Sequence, residues 1–331
     1  MPLFLFVLLF SFLTVTLSGC QSSSSKKAKE ETNLKTVNLC EVAHSIFYAP
    51  QYVAIELGYF EKEGLKINLK NGNGADNVMT SLISKDADIG FMGSEASIYV
   101  YAEGAKNYAV NFAGLTQRAG NFLVGRTKET NFKWSDLAGK TVIGGRPGGM
   151  PEMIFEYILK KNNVNLKDVN IIQNIDFGST APAFSSGTGD YTIEFEPFAT
   201  SLENNKKGFV TASLGVDSGY VPYTAYCALQ TYMDKNEDTL SHFTTAIQKG
   251  LDYVQTHTAE EIATVIKPQF PETDLDTLIQ IVSRYQSQNT WKTTTRFEKE
   301  SYELLINILK EAGQLKNEAP YSKLVTTKYS K

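Results

Sequence analysis

From residue 36 to residue 214 the chain alternates short β-patterned runs with stretches whose apolar residues recur at helical spacing. The first round reads as the strand KTVNLC, a helix from Gln51 to Tyr59, the strand LKINLK, a helix from Asp76 to Ser84, the strand ADIGFM, a helix from Glu95 to Glu103 and the strand YAVNFAGL. The second round reads as KTVIGG, a helix with Met150, Met153, Ile154, Tyr157 and Ile158 at helical spacing, VNIIQNI, a short helix from Ala181 to Ser185, YTIEF, a helix ending at Asn204, and GFVTASL. Helices between successive strands cover both faces of a parallel sheet. The pattern therefore predicts an α/β protein with two such units in series.

Beyond the strand YTAYCAL the pattern becomes helical throughout. Leu240, Phe243, Ile247, Leu251 and Val254 form one amphipathic face, Leu275, Leu278, Ile281 and Val282 another, and a last helix runs from about Phe297 to Ala312. These faces need a surface to cover, and returning YTAYCAL to the first unit supplies one. That packing predicts lobe 1 as residues 36–125 plus 221–331 and lobe 2 as residues 126–220. The chain would cross between them near 124–134 and 215–223, forming a two-strand hinge.

The N-terminal run MPLFLFVLLFSFLTVTLSGC is uncharged and nearly all apolar, with the length of an export signal rather than a membrane span. Residues 1–19 read as a signal peptide, the alternative being a simple N-terminal anchor helix. Leu17-Ser18-Gly19-Cys20 resembles a bacterial lipoprotein box, in which Cys20 is lipidated and becomes the first mature residue. Residues 20–35, polar and charged, read as a flexible tether. The protein is thereby expected on the extracytoplasmic face of the membrane. A net charge of −4 argues against nucleic acid as a partner, and 42% hydrophobic residues suffice for two cores.

Candidate chemistry is sparse. GGRPGGMPEM at 144–153 places glycines and Arg146 before a helix, where main-chain N–H groups can approach a ligand. It lacks the Gly-Lys-Ser/Thr ending of a phosphate-binding P-loop and the spacing of a dinucleotide fingerprint. Arg146 suits a carboxylate, sulfonate or phosphate, or faces solvent from a tight turn. There is no G-x-S-x-G motif, and His44, His242 and His257 are too scattered for a His-based metal site. Cys40 and Cys227 read as core thiols, the alternative that an extracytoplasmic setting permits being a disulfide between them. Glu194 and Glu196, two residues apart where the strand YTIEF ends, are not expected to act as an acid–base pair; Glu196 either faces a ligand or neighbours a helix N-cap. No enzyme, metal or cofactor is expected.

Four segments carry a family resemblance: HSIFYAPQYVAIELGYFEKEGLKI at 44–67, GNGADNVMTSLISKDADIGFMGSEA at 72–96, FKWSDLAGKTVIGGRPGGMPE at 132–152 and FEPFATSLE at 195–203. Together they resemble the solute-binding lipoproteins of ABC importers in the nitrate, sulfonate, taurine and thiamine-pyrimidine group, including its thiamine pyrimidine synthase-like members. The resemblance spans essentially the whole mature chain. It implies a two-lobed, type II periplasmic-binding-protein fold with mostly parallel sheets. It further implies a monomer that closes over a small molecule and hands it to a membrane permease. The clustered cysteine motif of the related eukaryotic synthase is absent.

In such folds ligands sit beyond the carboxyl ends of the strands. The expected ligand-binding residues are His44, Ser45, Phe47, Tyr48, Asn73, Gly74, Ala75, Gly93, Ser94, Glu95 and Gln117 from lobe 1. Lobe 2 would add Arg146, Gly148, Gly149, Met150, Phe177, Ser179 and Glu196, and Tyr223 would join from the hinge return. Of Phe47 and Tyr48, one is expected to stack on a flat ligand and the other to pack. Asp76 is expected as the N-cap of the second helix. Aromatic rings with Glu and His suit a planar, nitrogen-rich ring such as an aminopyrimidine. The alternative is a sulfonate, taurine or nitrate-type anion held by Arg146 and the following helix N-terminus. An extracellular enzyme on the same scaffold is a more distant third reading.

Overall fold

The computed structural model describes residues 34–331; the expected signal peptide, Cys20 and all but the last two residues of the tether lie outside them. The first lobe is laid down as β1 (Lys35–Glu41), α1 (Ala49–Glu56), α2 (Tyr59–Lys62), β2 (Leu65–Asn71), α3 (Ala75–Ser84), β3 (Ile89–Gly93), α4 (Glu95–Ala102) and β4 (Ala109–Thr116). The second follows as β5 (Phe122–Gly125), β6 (Thr141–Ile143), α5 (Met150–Lys161), β7 (Asn170–Ile172), α6 (Thr180–Ser185), β8 (Tyr191–Glu194), α7 (Phe198–Asn204), β9 (Phe209–Ser213) and α8 (Leu214–Ser218). The chain then returns through β10 (Thr224–Leu229) to α9 (Gln230–Met233), α10 (Glu237–Thr256), α11 (Ala259–Ile266), α12 (Leu275–Ser287), α13 (Lys299–Glu311) and α14 (Tyr321–Leu324).

The strands form two five-stranded sheets, ordered β2-β1-β3-β10-β4 and β7-β6-β8-β5-β9. Each is parallel except for one strand, β10 in the first and β5 in the second, which runs antiparallel to both of its neighbours. β3, β4 and β10 are buried along their whole length because helices cover both faces. α3 lies close on β3: a Cβ on Gly90 would come within 2.7 Å of Leu82 Cδ1, so glycine sets the helix-to-sheet distance. Phe91 stacks on Tyr226 at 4.3 Å, and Phe243 of α10 meets Tyr226 edge-on at 5.0 Å, joining the sheet to the C-terminal helices.

Three sequence expectations change. The first crossing was expected at 124–134, but Phe122–Gly125 is a buried strand paired with both β8 and β9, so the crossing lies at residues 117–121. Its four residues carry no alternation because neither face is exposed, which hides the strand in the sequence. The return runs from α8 to Tyr223, and the two crossings are hydrogen-bonded, Val221 N–H to Gln117 O at 2.9 Å and Leu214 N–H to Asn121 O at 3.1 Å. Secondly, the C-terminal helices are not confined to the first lobe. Arg284 of α12 reaches Glu196 and Glu203, and Lys160 of α5 donates to Glu311 O of α13 at 3.0 Å. Thirdly, Leu275, placed on the buried face of its helix by periodicity, is exposed at the helix start.

Candidate interlobe ligand site

The carboxyl ends of β1, β2, β3 and β4 point to one side of the first sheet, and the turn after β6 and the end of β8 meet them from the second. Glu95 begins α4 immediately after β3 and Ser94. Its carboxylate folds back over the strand end, where a Cβ on Gly93 would stand 2.7 Å from the carboxyl carbon; glycine makes that placement possible. Glu95 is only 6% exposed, and its Oε2 has no hydrogen-bond partner among the described residues. Burial raises its pKa to about 7, against the opposing pull of its own backbone N–H and of Arg146.

Three tyrosines lie within electrostatic reach of this carboxyl. Tyr48, Tyr99 and Tyr223 each lie close enough for its charge to push their hydroxyl pKa upward, in addition to a larger effect of burial. Tyr99 sits one helical turn along α4 from Glu95 and donates to Gly148 O at 2.9 Å, joining the lobes. Tyr223 donates to Asn121 Oδ1 at 3.3 Å, and Ser94 Oγ donates to Pro222 O at 3.2 Å, fixing the return strand beside the Glu95 turn.

The glycine turn of the second lobe is arranged differently from a bare anion cradle. Gly148, at φ +74°, donates its N–H to Glu152 Oε2 at 3.2 Å, and Gln173 Nε2 donates to Glu152 Oε1 at 2.7 Å. The N-terminus of α5 thus holds its own carboxyl. Burial, with neighbouring Glu156 adding to it, raises that carboxyl to a pKa of about 8. Arg146 reaches Asp76 Oδ2 at 3.0 Å. Asp76 was expected to cap α3, yet the N-cap is Gly74; Asp76 occupies the first turn and spends its charge on Arg146.

Other expected residues are engaged within the protein. His44 bonds Glu41 Oε1 through Nδ1 at 2.7 Å and Gln269 O through Nε2 at 2.9 Å, with its ring stacked on Phe270. The Glu41 hydrogen bond raises its pKa, burial opposing. Ser45 Oγ donates to Glu196 O at 3.2 Å. Phe47 has no exposed surface and packs against Tyr48, Phe195, Tyr223 and Tyr285. Gln117 donates to Asn289 O and Trp291 O. Glu196 accepts from Thr200 N–H at 2.9 Å and pairs with Arg284, so it serves the start of α7; burial still holds its carboxyl above the ordinary range. Asn73 and Ser179 are exposed, Gly74, Ala75, Gly148 and Gly149 are partly buried, and Met150 is buried. Phe177 lies in a short 3-10 turn, Phe177–Ser179.

The structure therefore gathers Tyr48, Glu95, Tyr223 and the Arg146–Gly149 turn, and it adds Tyr99, Asn121 and Arg284, which the sequence reading did not single out. Tyr99 was legible, since it lies four residues from Glu95 on one helix face. Asn121 and Arg284 carry no local signal; their importance comes from contacts across the chain.

Two α/β lobes, crossed twice by the chain and meeting at the carboxyl ends of their strands, define a periplasmic-binding-protein fold. The chain belongs to the family described as "NMT1/THI5 like", whose model matches residues 46–261. It is 44% identical over 315 residues to "Putative binding protein YtlA" of Bacillus subtilis, covering 95% of this chain and 92% of that one. Among solved structures it is similar to the alkanesulfonate-binding protein SsuA of Xanthomonas axonopodis pv. citri, with a TM-score of 0.71 and 11% identity over 88% of this chain and 98% of that one. It is also similar to the periplasmic nitrate-binding protein NrtA of Synechocystis PCC 6803, with a TM-score of 0.59 and 16% identity over 75% and 69% of the respective chains.

Proposed function

We propose that this protein is the extracytoplasmic substrate-binding component of an ABC importer. It closes its lobes over a small planar, nitrogen-containing molecule of the thiamine-precursor pyrimidine type and delivers it unchanged to a permease. The observation that carries the ligand reading is the buried, unpartnered Glu95 oxygen, whose carboxyl lies within electrostatic reach of the hydroxyls of Tyr48, Tyr99 and Tyr223. A carboxylate in that setting favours a ligand that donates hydrogen bonds, and aromatic walls favour a flat one. Binding in the cleft and hinge closure support each other, because the ligand shifts the lobes only by as much as it prefers the closed form.

The second reading, a sulfonate- or nitrate-type anion, draws support from the names of the structural neighbours. The Asp76–Arg146 pair and the Glu152 carboxyl on the α5 N-terminus speak for the first. Mass spectrometry of ligand recovered from purified protein, with calorimetric titration by 4-amino-5-hydroxymethyl-2-methylpyrimidine, taurine and nitrate, separates them. Stoichiometric recovery of an unchanged aminopyrimidine is expected. Recovery of a sulfonate or nitrate overturns the ligand reading, and catalytic accumulation of product overturns the transport reading.

Membrane attachment through lipidated Cys20 belongs to the same proposal. A Cys20→Ser variant is expected in the medium rather than on the cell, and its retention would count against the anchor.

A further inference from the structure

The other buried carboxylates among the described residues have partners. Glu41 receives Gln51 Nε2 at 2.7 Å and Tyr52 OH at 2.8 Å, Glu194 receives Thr192 and Thr180 hydroxyls, and Glu196 receives Thr200 and Arg284. Glu95 differs: 94% of it is buried, yet among the described residues nothing donates to Oε2. A buried acceptor left unpaired is costly, and such an atom at a functional cleft marks where a donor from outside completes the site. The cost is kept by design of the backbone. Gly93 leaves the room the carboxylate occupies, and the neighbouring cation Arg146 is already bound to Asp76.

Resting on the reading of the cleft given above, we propose that Glu95 selects the ligand: its Oε2 accepts a hydrogen bond from an amino or ring N–H of an amidine-type edge and repels sulfonate- or nitrate-type anions. The charged and titratable groups facing it come from every surrounding element: Tyr99 on its own helix, Tyr48 after β1, Tyr223 before β10, Asp76 on α3 and Arg146 before α5. The three tyrosine hydroxyls stay protonated because burial raises them all, and Asp76 and Arg146 offset each other. Above its pKa of about 7, Glu95 is left as the group whose charge an anionic ligand would meet. Burial makes that encounter expensive, since like charges in a poorly solvated site repel strongly.

The test compares wild type and Glu95→Gln in titrations at pH 8, where Glu95 is ionised, with three probes: 4-amino-5-hydroxymethyl-2-methylpyrimidine, its 4-oxo counterpart, and taurine. Wild type should prefer the amino compound and ignore taurine. Glu95→Gln should weaken the amino compound about 10- to 100-fold, the loss of one charge-assisted hydrogen bond, and should erase the preference over the 4-oxo compound. Amino-compound affinity within about threefold of wild type would overturn the role of Glu95 while leaving the pyrimidine reading intact. Wild type that binds taurine, or none of the probes, overturns both. Should Glu95→Gln fail to fold, Glu95→Asp keeps the charge but withdraws the oxygen by one methylene; an unchanged affinity there overturns the proposal equally.

Discussion

Asp76 of the first lobe and Arg146 of the second meet at 3.0 Å, with 82% and 56% of their side chains exposed. An ion pair so open to solvent contributes little to stability, at most about 1 kcal/mol. Its position matters more than its strength, because it bridges the two lobes whose closure is proposed.

Arg146→Ala should therefore leave the melting temperature within about 2 °C of wild type while raising the ligand dissociation rate several-fold. Stopped-flow release of the 4-aminopyrimidine probe, beside a thermal melt, checks both. A large melting shift with unchanged release would show that the pair serves stability rather than closure.

Arg284→Ala should behave in the opposite way. Arg284, 19% exposed, joins Glu196 and Glu203 from α12, and its removal strands Glu196, which is almost wholly buried. Breaking a buried pair on one side costs about 3–5 kcal/mol. Chemical denaturation should register that loss, and adding Glu196→Gln should restore part of it by removing the stranded charge. No recovery in the double variant would place the cost elsewhere.

Glu95 gives stability a definite pH dependence. Its pKa rises from 4.5 to about 7 on folding because burial disfavours the charged form. The folded chain binds that proton more tightly than the unfolded chain, so the stabilising effect of the bound proton is complete at low pH. It is lost progressively as pH rises from about 4.5 to about 7. Glu95→Gln, neutral throughout, should melt about 2–5 °C above wild type at pH 8, the gap narrowing toward pH 5. A gap that widens as pH falls would contradict burial as the cause.

Cys40 and Cys227 are free, buried thiols that pair from opposite sides with Gly90 on the intervening β3, and burial pushes the Cys227 thiol up to about 12. Both should resist alkylation in the native protein and react once it is unfolded, as peptide mass spectrometry will show. A Cys40–Cys227 crosslinked peptide from the native protein would refute this.

Periodicity alone fixed the main architecture. The alternation of KTVNLC, LKINLK and ADIGFM with helical stretches demands a helix-covered sheet, and Leu240, Phe243, Ile247, Leu251 and Val254 are all buried on α10 as their spacing requires. The glycine turn at 144–149 announced itself because glycine tolerates what other residues do not. Where a segment has no alternation to read, as in β5, the sequence is silent about whether it is a crossing or a central strand.

The tertiary structure decided how the polar residues divide between the cleft and the scaffold. His44, Gln117 and Glu196 share the strand-end positions of Glu95, but Gln269, Trp291 and Arg284 arrive from far along the chain to satisfy them, while none of the described residues arrives for Glu95 Oε2. Hydrophobic period is a local property, fixed by 3.6 residues per helical turn and two per strand, so a linear sequence displays it. Whether a polar atom finds a partner depends on contacts between segments one or two hundred residues apart, and only the folded chain brings those together.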